Sequence, residues 1–177
     1  MATAKKRAFG SDAIQAIRTA SLAQYHLSAM ADRKASLLMG ASFVVFTISV
    51  SQATARGGDL PPAMLVLGVT AFLSALIAAV AVMPSISSGP RHQTTRNMMF
   101  FGGFADMSEA EYVEDMLDRL SDQSRFLEMV ARDVYQNGQV LAHKKYRLLR
   151  VAYSIFIVGL VASVVAFAAS SLSGGLA

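Results

Sequence analysis

Three stretches of roughly twenty residues that lack Asp, Glu, Lys, Arg and His constrain how this chain folds. They occupy residues 35–55, 62–83 and 151–172. A helix of this length crosses the hydrocarbon core of a bilayer, whereas a buried helix of a soluble domain rarely stays uncharged for so long. A soluble domain averages about 25% charged residues, but this chain has 16% and is 54% hydrophobic. The sequence therefore predicts an all-α membrane protein with three transmembrane helices.

The distribution of lysine and arginine predicts the orientation of the spans. Cytoplasmic loops collect these residues, and here they are concentrated before residue 35 and between residues 84 and 150. The connection between the first two spans has only Arg56, and residues 173–177 carry no charged side chain. The N-terminus is therefore expected in the cytosol and the C-terminus on the periplasmic or external side. The first span is not a cleaved signal peptide, because its apolar core begins far from the chain start.

These patterns divide the chain into six predicted segments. They are an N-terminal cytosolic helix (1–34), a first span (35–55), a second span (62–83), a cytosolic loop with helices (84–150), a third span (151–172) and a short external tail (173–177). Two of the spans are expected to extend into a cytosolic helical bundle, because no proline interrupts residues 11–52 or 123–172.

Between these long helices, the sequence SEAE at residues 108–111 has the pattern of a capping box. It predicts the start of a short acidic helix that ends near Leu120. The last long helix is then expected to begin near Ser121 or Asp122.

The second span has a row of small residues. Ala71, Ala75 and Ala79 recur at four-residue spacing, and Ser74 and Ala78 lie beside them. Small residues let membrane helices approach closely. The row predicts a packing face, either within the chain or between chains.

The sequence has no pattern typical of an enzyme. HExxH, GxSxG and phosphate-binding loop motifs are absent, the chain has no cysteine, and His26, His92 and His143 are scattered. We therefore predict no catalytic residue, no metal and no cofactor. The spans also lack the ionisable groups that proton and ion relays need at membrane depth, which disfavours a pump or coupled transporter. A passive pore lined by serine and threonine stays open as an alternative.

Three polar groups lie next to the predicted inner membrane face. They are Asp32, Arg33 and Lys34; then Arg91, His92, Arg96 and Asn97; then Lys144, Lys145, Tyr146, Arg147 and Arg150. Together they would form a cationic pocket for a phosphate-bearing small molecule, because arginine bonds phosphate in bidentate fashion. The alternative is that these cations meet anionic lipid head groups. Asp32 does not suit a simple lipid-binding patch, so we expect it to pair with Lys34 or with a cation of the last helix.

Three segments resemble the Pycsar transmembrane effector family, small bacterial membrane proteins of antiphage defence. They read ADRKASLL at residues 31–38, NMMFFGGFADMSEAEYVEDM at residues 97–116 and KKYRLLRVAYSIFIVGL at residues 144–160. The order of two close spans, a cytosolic segment and a third span also fits the family. The resemblance extends over most of the chain, from residue 22 to residue 168.

The resemblance implies a function in abortive infection. In this family a neighbouring cyclase makes cCMP or cUMP on phage infection, and the effector senses this cyclic pyrimidine mononucleotide and impairs the bacterial inner membrane. The expected partners are the lipid bilayer and the activating nucleotide, with no nucleic acid polymer. A homo-oligomer is the expected active state, because three spans in one chain enclose no obvious pore.

The nucleotide phosphate is assigned, as a hypothesis, to Arg91, Arg96 and Asn97. A supporting polar cluster comprises Asp32, Arg33, Lys34, Lys144 and Tyr146. The sequence shows no separate β-roll for a cyclic nucleotide, so the site is expected to form from the helices and the loop, or to be shared between subunits. The alternative function is that of a non-catalytic membrane anchor whose acidic helix docks a soluble partner.

Overall fold

The computed structural model describes residues 10–58, 61–83 and 97–174, and these residues form helices without any strand. The helices are α1 (Ser11–Ala55), α2 (Pro62–Val82), α3 (Phe101–Phe104), α4 (Glu109–Ser121), α5 (Gln123–Val140) and α6 (Arg147–Gly174), with a π-helical turn (Leu141–Tyr146) between α5 and α6. Three helical stretches, Ser11–Ala55, Pro62–Val82 and Gln123–Leu172, are long and apolar enough to cross a membrane. The predicted all-α membrane fold is confirmed.

The chain divides into two compact units. One, here called the polar unit, holds the described residues 10–27 and 97–141, with the start of α1 and helices α3 to α5. The other, here called the apolar unit, holds the described residues 28–58, 61–83 and 142–174, with the rest of α1, α2, most of the π-helical turn and α6.

Small side chains form the centre of the apolar unit. Its core joins Ala35 and Leu38 of α1, Ala78 of α2, and Leu149 and Ala152 of α6. Hydroxyl groups link the same three helices, because the hydroxyls of Ser42 and Ser74 lie 3.4 Å apart and Ser74 Oγ donates to the Ala152 carbonyl at 2.9 Å. Each hydroxyl is satisfied inside the protein, as buried polar groups require.

Two glycines allow the membrane helices to approach closely. A Cβ added to Gly159 of α6 would overlap the side chain of Thr70 on α2, and one added to Gly68 of α2 would lie 2.9 Å from Ser49 Cβ on α1. By contrast, a Cβ on Gly40 of α1 would meet nothing within 4 Å.

The small-residue face that the sequence predicts on α2 serves contacts within the chain. Ala71, Ser74 and Ala78 are fully buried. Ala78 belongs to the core that joins α2 to α1 and α6. Of the two predicted alternatives, packing within the chain or between chains, the structure shows packing within the chain.

Local sequence signals set the ends of α2. At the α1 end of the connection, Gly57 and Gly58 have φ values of 67° and 96°, a region that glycine adopts without steric penalty. Pro61 and Pro62 then begin α2, where the missing amide hydrogen costs nothing. At its other end, Met83 adopts an extended conformation and terminates the helix.

Helix α4 of the polar unit begins with the predicted capping box. Ser108 Oγ accepts from the Glu111 amide at 3.3 Å, and the Glu111 carboxylate accepts from the Ser108 amide at 2.9 Å. Asp122 caps α5 by accepting from the Ser124 amide at 2.7 Å. An ion pair of 2.7 Å between Arg125 and Asp118 then links α5 to α4. These caps fix where both helices start.

Candidate functional site

An ion pair joins α1 to the π-helical turn inside the apolar unit. Lys145 Nζ lies 2.8 Å from both carboxylate oxygens of Asp32 and 2.9 Å from Ser28 Oγ. Ser28 and Asp32 are four residues apart, so both side chains leave the same face of α1. The Lys145 side chain is 21% exposed and that of Asp32 43%, so water screens the pair only in part. Of the two partners predicted for Asp32, the structure has a cation of the last helix rather than Lys34.

The π-helical turn decides which lysine faces Asp32. Such turns are rare, hold more residues than an α-helical turn and occur frequently at functional sites. Here Lys145 makes the contact with Asp32. The neighbouring Lys144 and Tyr146, which the sequence predicts in the supporting cluster, are half-buried like Lys145. Sequence reasoning missed the role of Lys145 because helical periodicity gives no reliable phase through a π-helical turn. It also missed Ser28, although its four-residue spacing from Asp32 was a usable signal.

The two other cations predicted on α1 are exposed. Arg33 and Lys34 both lie on the surface of the apolar unit. Tyr153 Oη of α6 donates to the main-chain carbonyl of Lys34 at 3.2 Å. This bond holds α1 and α6 together beside the Asp32–Lys145 pair and leaves the Lys34 ammonium free to bind another group.

Asn97, predicted as a ligand residue, contacts a buried carboxylate in the polar unit. Asn97 Nδ2 donates to Asp133 Oδ1 of α5 at 2.8 Å, and Asn137 Nδ2 donates to the same oxygen at 3.0 Å. Asp133 is only 2% exposed, and a buried carboxylate is costly unless donors satisfy it. Asn97 Oδ1 also accepts from the Met99 amide at 3.0 Å. The Asn97 side chain therefore anchors the segment after the basic loop to α5.

The segment that follows Asn97 contacts the rest of the polar unit through a few residues. The Met98 side chain is fully buried, and its carbonyl accepts from Tyr112 Oη of α4 at 3.4 Å. The rings of Phe104 and Tyr112 lie 4.7 Å apart. A Cβ on Gly103 would overlap the Asn97 carbonyl. The glycine in FGGF thus allows the chain to fold back on Asn97, which explains it without a nucleotide-binding loop.

The remaining predicted ligand residues, Arg91 and Arg96, lie outside the described residues, as does His92. Asn97 belongs to the polar unit, while Asp32, Arg33, Lys34, Lys144 and Tyr146 belong to the apolar unit. The structure thus unites Asp32 with Lys145 and Ser28, and Asn97 with Asp133.

A cleft of about 530 Å³ opens on the polar unit beside α4. Its lining residues are Met98, Asp106, Met107, Glu111, Glu114, Asp115 and Asp118. This lining is acidic, so the cleft is unsuited to a phosphate-bearing ligand. Within the described ranges, no three His, Asp or Glu side chains come together in a way that could hold a metal ion.

A family model described as "Pycsar effector protein domain" matches residues 15–170. That match extends over α2, both caps, the Asp32–Lys145 pair and nearly all of α1 and α6. The chain belongs to the Pycsar effector family. No curated protein and no solved structure matched it. The resemblance predicted from the three sequence segments is thus confirmed.

Membership of the Pycsar effector family indicates an antiphage defence effector, and the three apolar helices indicate a membrane protein. The assignment is consistent with a non-enzymatic effector. In this Pycsar effector, the geometry described above supplies cross-helix contacts, an anchored segment beside a basic loop, and exposed cations next to the uncharged helices. Such an arrangement suits binding and conformational change.

Proposed function

We propose that this Pycsar effector senses a cyclic pyrimidine mononucleotide, cCMP or cUMP, on the cytosolic side and impairs the bacterial inner membrane, which leads to abortive infection. The observation that carries the proposal is the family match, because it includes nearly all of the three candidate spans and the residues between them. In this proposal the N-terminus is cytosolic and the C-terminus periplasmic or external, as the distribution of lysine and arginine favours.

The proposed nucleotide site uses Arg91, Arg96 and Asn97. The anchoring of Asn97 by Asp133 at 2.8 Å supports this choice, because it fixes one end of the basic loop. An anchored side chain loses less conformational entropy when a ligand binds beside it. The Asn97 amide is already engaged, so its proposed role is to position the loop, and the two arginines supply the charge for the phosphate.

The proposed active form is a homo-oligomer. The centre of the apolar unit is filled by side chains such as Ala35, Leu38 and Ala152. A water-filled path through one copy would therefore require these helices to separate. A ligand shifts such an equilibrium only if it binds one arrangement better than the other. We propose that nucleotide binding favours an assembled, membrane-impairing arrangement of several copies.

Replacing Arg96 with alanine should weaken nucleotide binding more than tenfold and abolish nucleotide-triggered toxicity without loss of expression. Loss of one bidentate phosphate contact removes a charge-assisted pair worth about 1.5–3 kcal/mol, which is more than tenfold in affinity. We would measure binding of cCMP, cUMP, cAMP and cGMP to detergent-purified protein by calorimetry. Growth of cells that express both the effector and a pyrimidine cyclase gives the matching readout.

Arg132→Ala is the control with the same change in charge. Arg132 is exposed and pairs with Glu128 one turn earlier, so its loss should leave binding and toxicity intact. If Arg96→Ala binds the nucleotide as tightly as the unaltered protein and still kills, the site assignment is wrong. If the unaltered protein binds none of the four nucleotides, the sensing proposal itself fails.

One observation favours the alternative function, a membrane anchor that docks a soluble protein. Helix α4 exposes an apolar stripe in which Val113 is 46%, Leu117 62% and Leu120 50% exposed. On this alternative, a soluble protein copurifies in stoichiometric amount. Leu117→Asp should then abolish the copurification and leave nucleotide-dependent toxicity unchanged. Absence of any such protein from the unaltered effector would exclude the anchor function.

A further inference from the structure

Two exposed cations of the apolar unit lie at the same depth relative to the bilayer. Lys34 directly precedes the uncharged residues 35–55 of α1, and Arg150 directly precedes the uncharged residues 151–172 of α6. The start of an uncharged span marks the boundary of the hydrocarbon core. Both cations are therefore at the depth of the lipid phosphates.

Tyr153 brings the two cations to adjoining helix surfaces. Its hydroxyl donates to the Lys34 carbonyl at 3.2 Å, so this side of α6 faces Lys34. Arg150 precedes Tyr153 by three residues, about one turn, and side chains with this spacing leave a helix on the same side. Lys34 and Arg150 therefore belong to the turns of α1 and α6 that meet at the Tyr153 hydrogen bond.

No carboxylate is available to neutralise these two cations within the apolar unit. Asp32 is the only Asp or Glu among its described residues. Both oxygens of Asp32 already lie 2.8 Å from Lys145 Nζ. Neither Lys34 nor Arg150 makes an ion pair with any described residue. The negative charge of an external anion that binds near both cations would therefore meet no competing carboxylate of this unit's described residues.

We propose that Lys34 and Arg150 bind the phosphate of an anionic phospholipid, with Tyr153 at the edge of the site. Arginine and lysine near the membrane surface gain about 1 kcal/mol each from anionic lipids. Tyrosine is enriched at this depth, where its ring is apolar and its hydroxyl is polar. Both cations lie at the ends of uncharged spans, and this position favours a lipid over a soluble phosphate compound.

The bound lipid would bridge α1 and α6. It would add an electrostatic contact to those that Asp32 and Tyr153 make. The strength of this contact would depend on the lipid composition of the leaflet. The proposal concerns lipid binding and does not depend on the proposed nucleotide function, so each can fail without the other.

The test compares the full-length protein in lipid nanodiscs of phosphatidylcholine alone and of phosphatidylcholine with phosphatidylglycerol. Bound phosphatidylglycerol is counted by native mass spectrometry, and thermal unfolding is followed in both discs. The variant Lys34→Gln/Arg150→Gln should bind phosphatidylglycerol about fivefold more weakly for each charge removed. It should also lose the rise in unfolding temperature that phosphatidylglycerol gives the unaltered protein.

Arg125→Gln/Arg132→Gln is the charge-matched control, because both arginines are exposed and each already pairs with a carboxylate, Asp118 or Glu128. It should keep the binding and the temperature rise. Equal unfolding temperatures of all three proteins in phosphatidylcholine discs would show that the site variant folds. The proposal is overturned if the control loses as much as the site variant. It is also overturned if phosphatidylglycerol does not stabilise the unaltered protein. The same holds if inorganic phosphate in phosphatidylcholine discs raises its unfolding temperature by the same amount.

Discussion

Replacing Gly159 with valine should leave little folded effector in the membrane. A Cβ at this position overlaps Thr70, so α2 and α6 must move apart and break the contacts around Ser74 and Ala152. Overpacking of a well-packed core costs about 1–3 kcal/mol and more where the backbone must shift. We expect the loss to be at the upper end of this range, and we would measure it by thermal unfolding of the purified protein in detergent.

Gly40→Val is the matched control, because it changes the same residue type within a span where nothing lies within 4 Å. It should unfold close to the unaltered protein. A second test is Gly159→Ala combined with Thr70→Gly, which removes the atoms that the new methyl group would overlap. The double variant should be more stable than Gly159→Ala alone. Equal stability of Gly159→Val and Gly40→Val would contradict the close approach of α2 and α6.

Exchanging the charges of Asp32 and Lys145 should restore stability that either single reversal removes. Asp32→Lys places a third cation beside Arg33 and Lys34 and repels Lys145, and Lys145→Asp repels Asp32. Each single reversal should cost about 1–3 kcal/mol, because hydrogen bonds to charged groups contribute in this range and the pair is partly screened. The exchanged pair should recover much of the loss, which a double-mutant cycle measures as a coupling energy.

The exposed pair of Glu128 and Arg132 provides the control cycle. Its atoms are as close, at 2.6 Å, but both side chains are about half exposed or more, so its coupling should stay below about 0.5 kcal/mol. Growth of cells expressing each variant shows whether the Asp32–Lys145 pair also restrains toxicity. A coupling energy for Asp32 and Lys145 no larger than that of the control pair would show that the contact has no structural weight.

The elements that depend on neighbours along the chain could be predicted from the sequence. The three spans follow from uncharged length, and the capping box follows from Ser108 and Glu111, which are three residues apart. The partner of a helix face could not be predicted in this way. Periodicity places Ala71 and Ala78 on one side of α2, but it does not say whether a helix of the same chain or of another chain covers them.

Less of the candidate site follows from the sequence, because its contacts join residues far apart in the chain. The sequence leaves two partners open for Asp32, Lys34 and a cation of the last helix, and the choice of Lys145 depends on a π-helical turn that no sequence pattern signals. The bond between Asn97 and Asp133 spans 36 residues. From the sequence alone, an asparagine after a basic loop could bind a ligand or anchor the loop. Only the position of the distant carboxylate distinguishes the two roles.

The two ends of α2 set a helix length that can be compared with the thickness of the bilayer. Helix α2 has 21 residues, about 31 Å at 1.5 Å per residue, close to the ~30 Å of an average hydrocarbon core. Helices α1 and α6 continue past their uncharged stretches, but α2 stops at a proline pair and at an extended Met83. Lipids with longer acyl chains would draw the terminal backbone groups of α2 into hydrocarbon, at a fraction of a kcal/mol per Å of mismatch. Thicker membranes should therefore loosen the packed apolar unit. In thinner membranes, the helices of this unit should tilt.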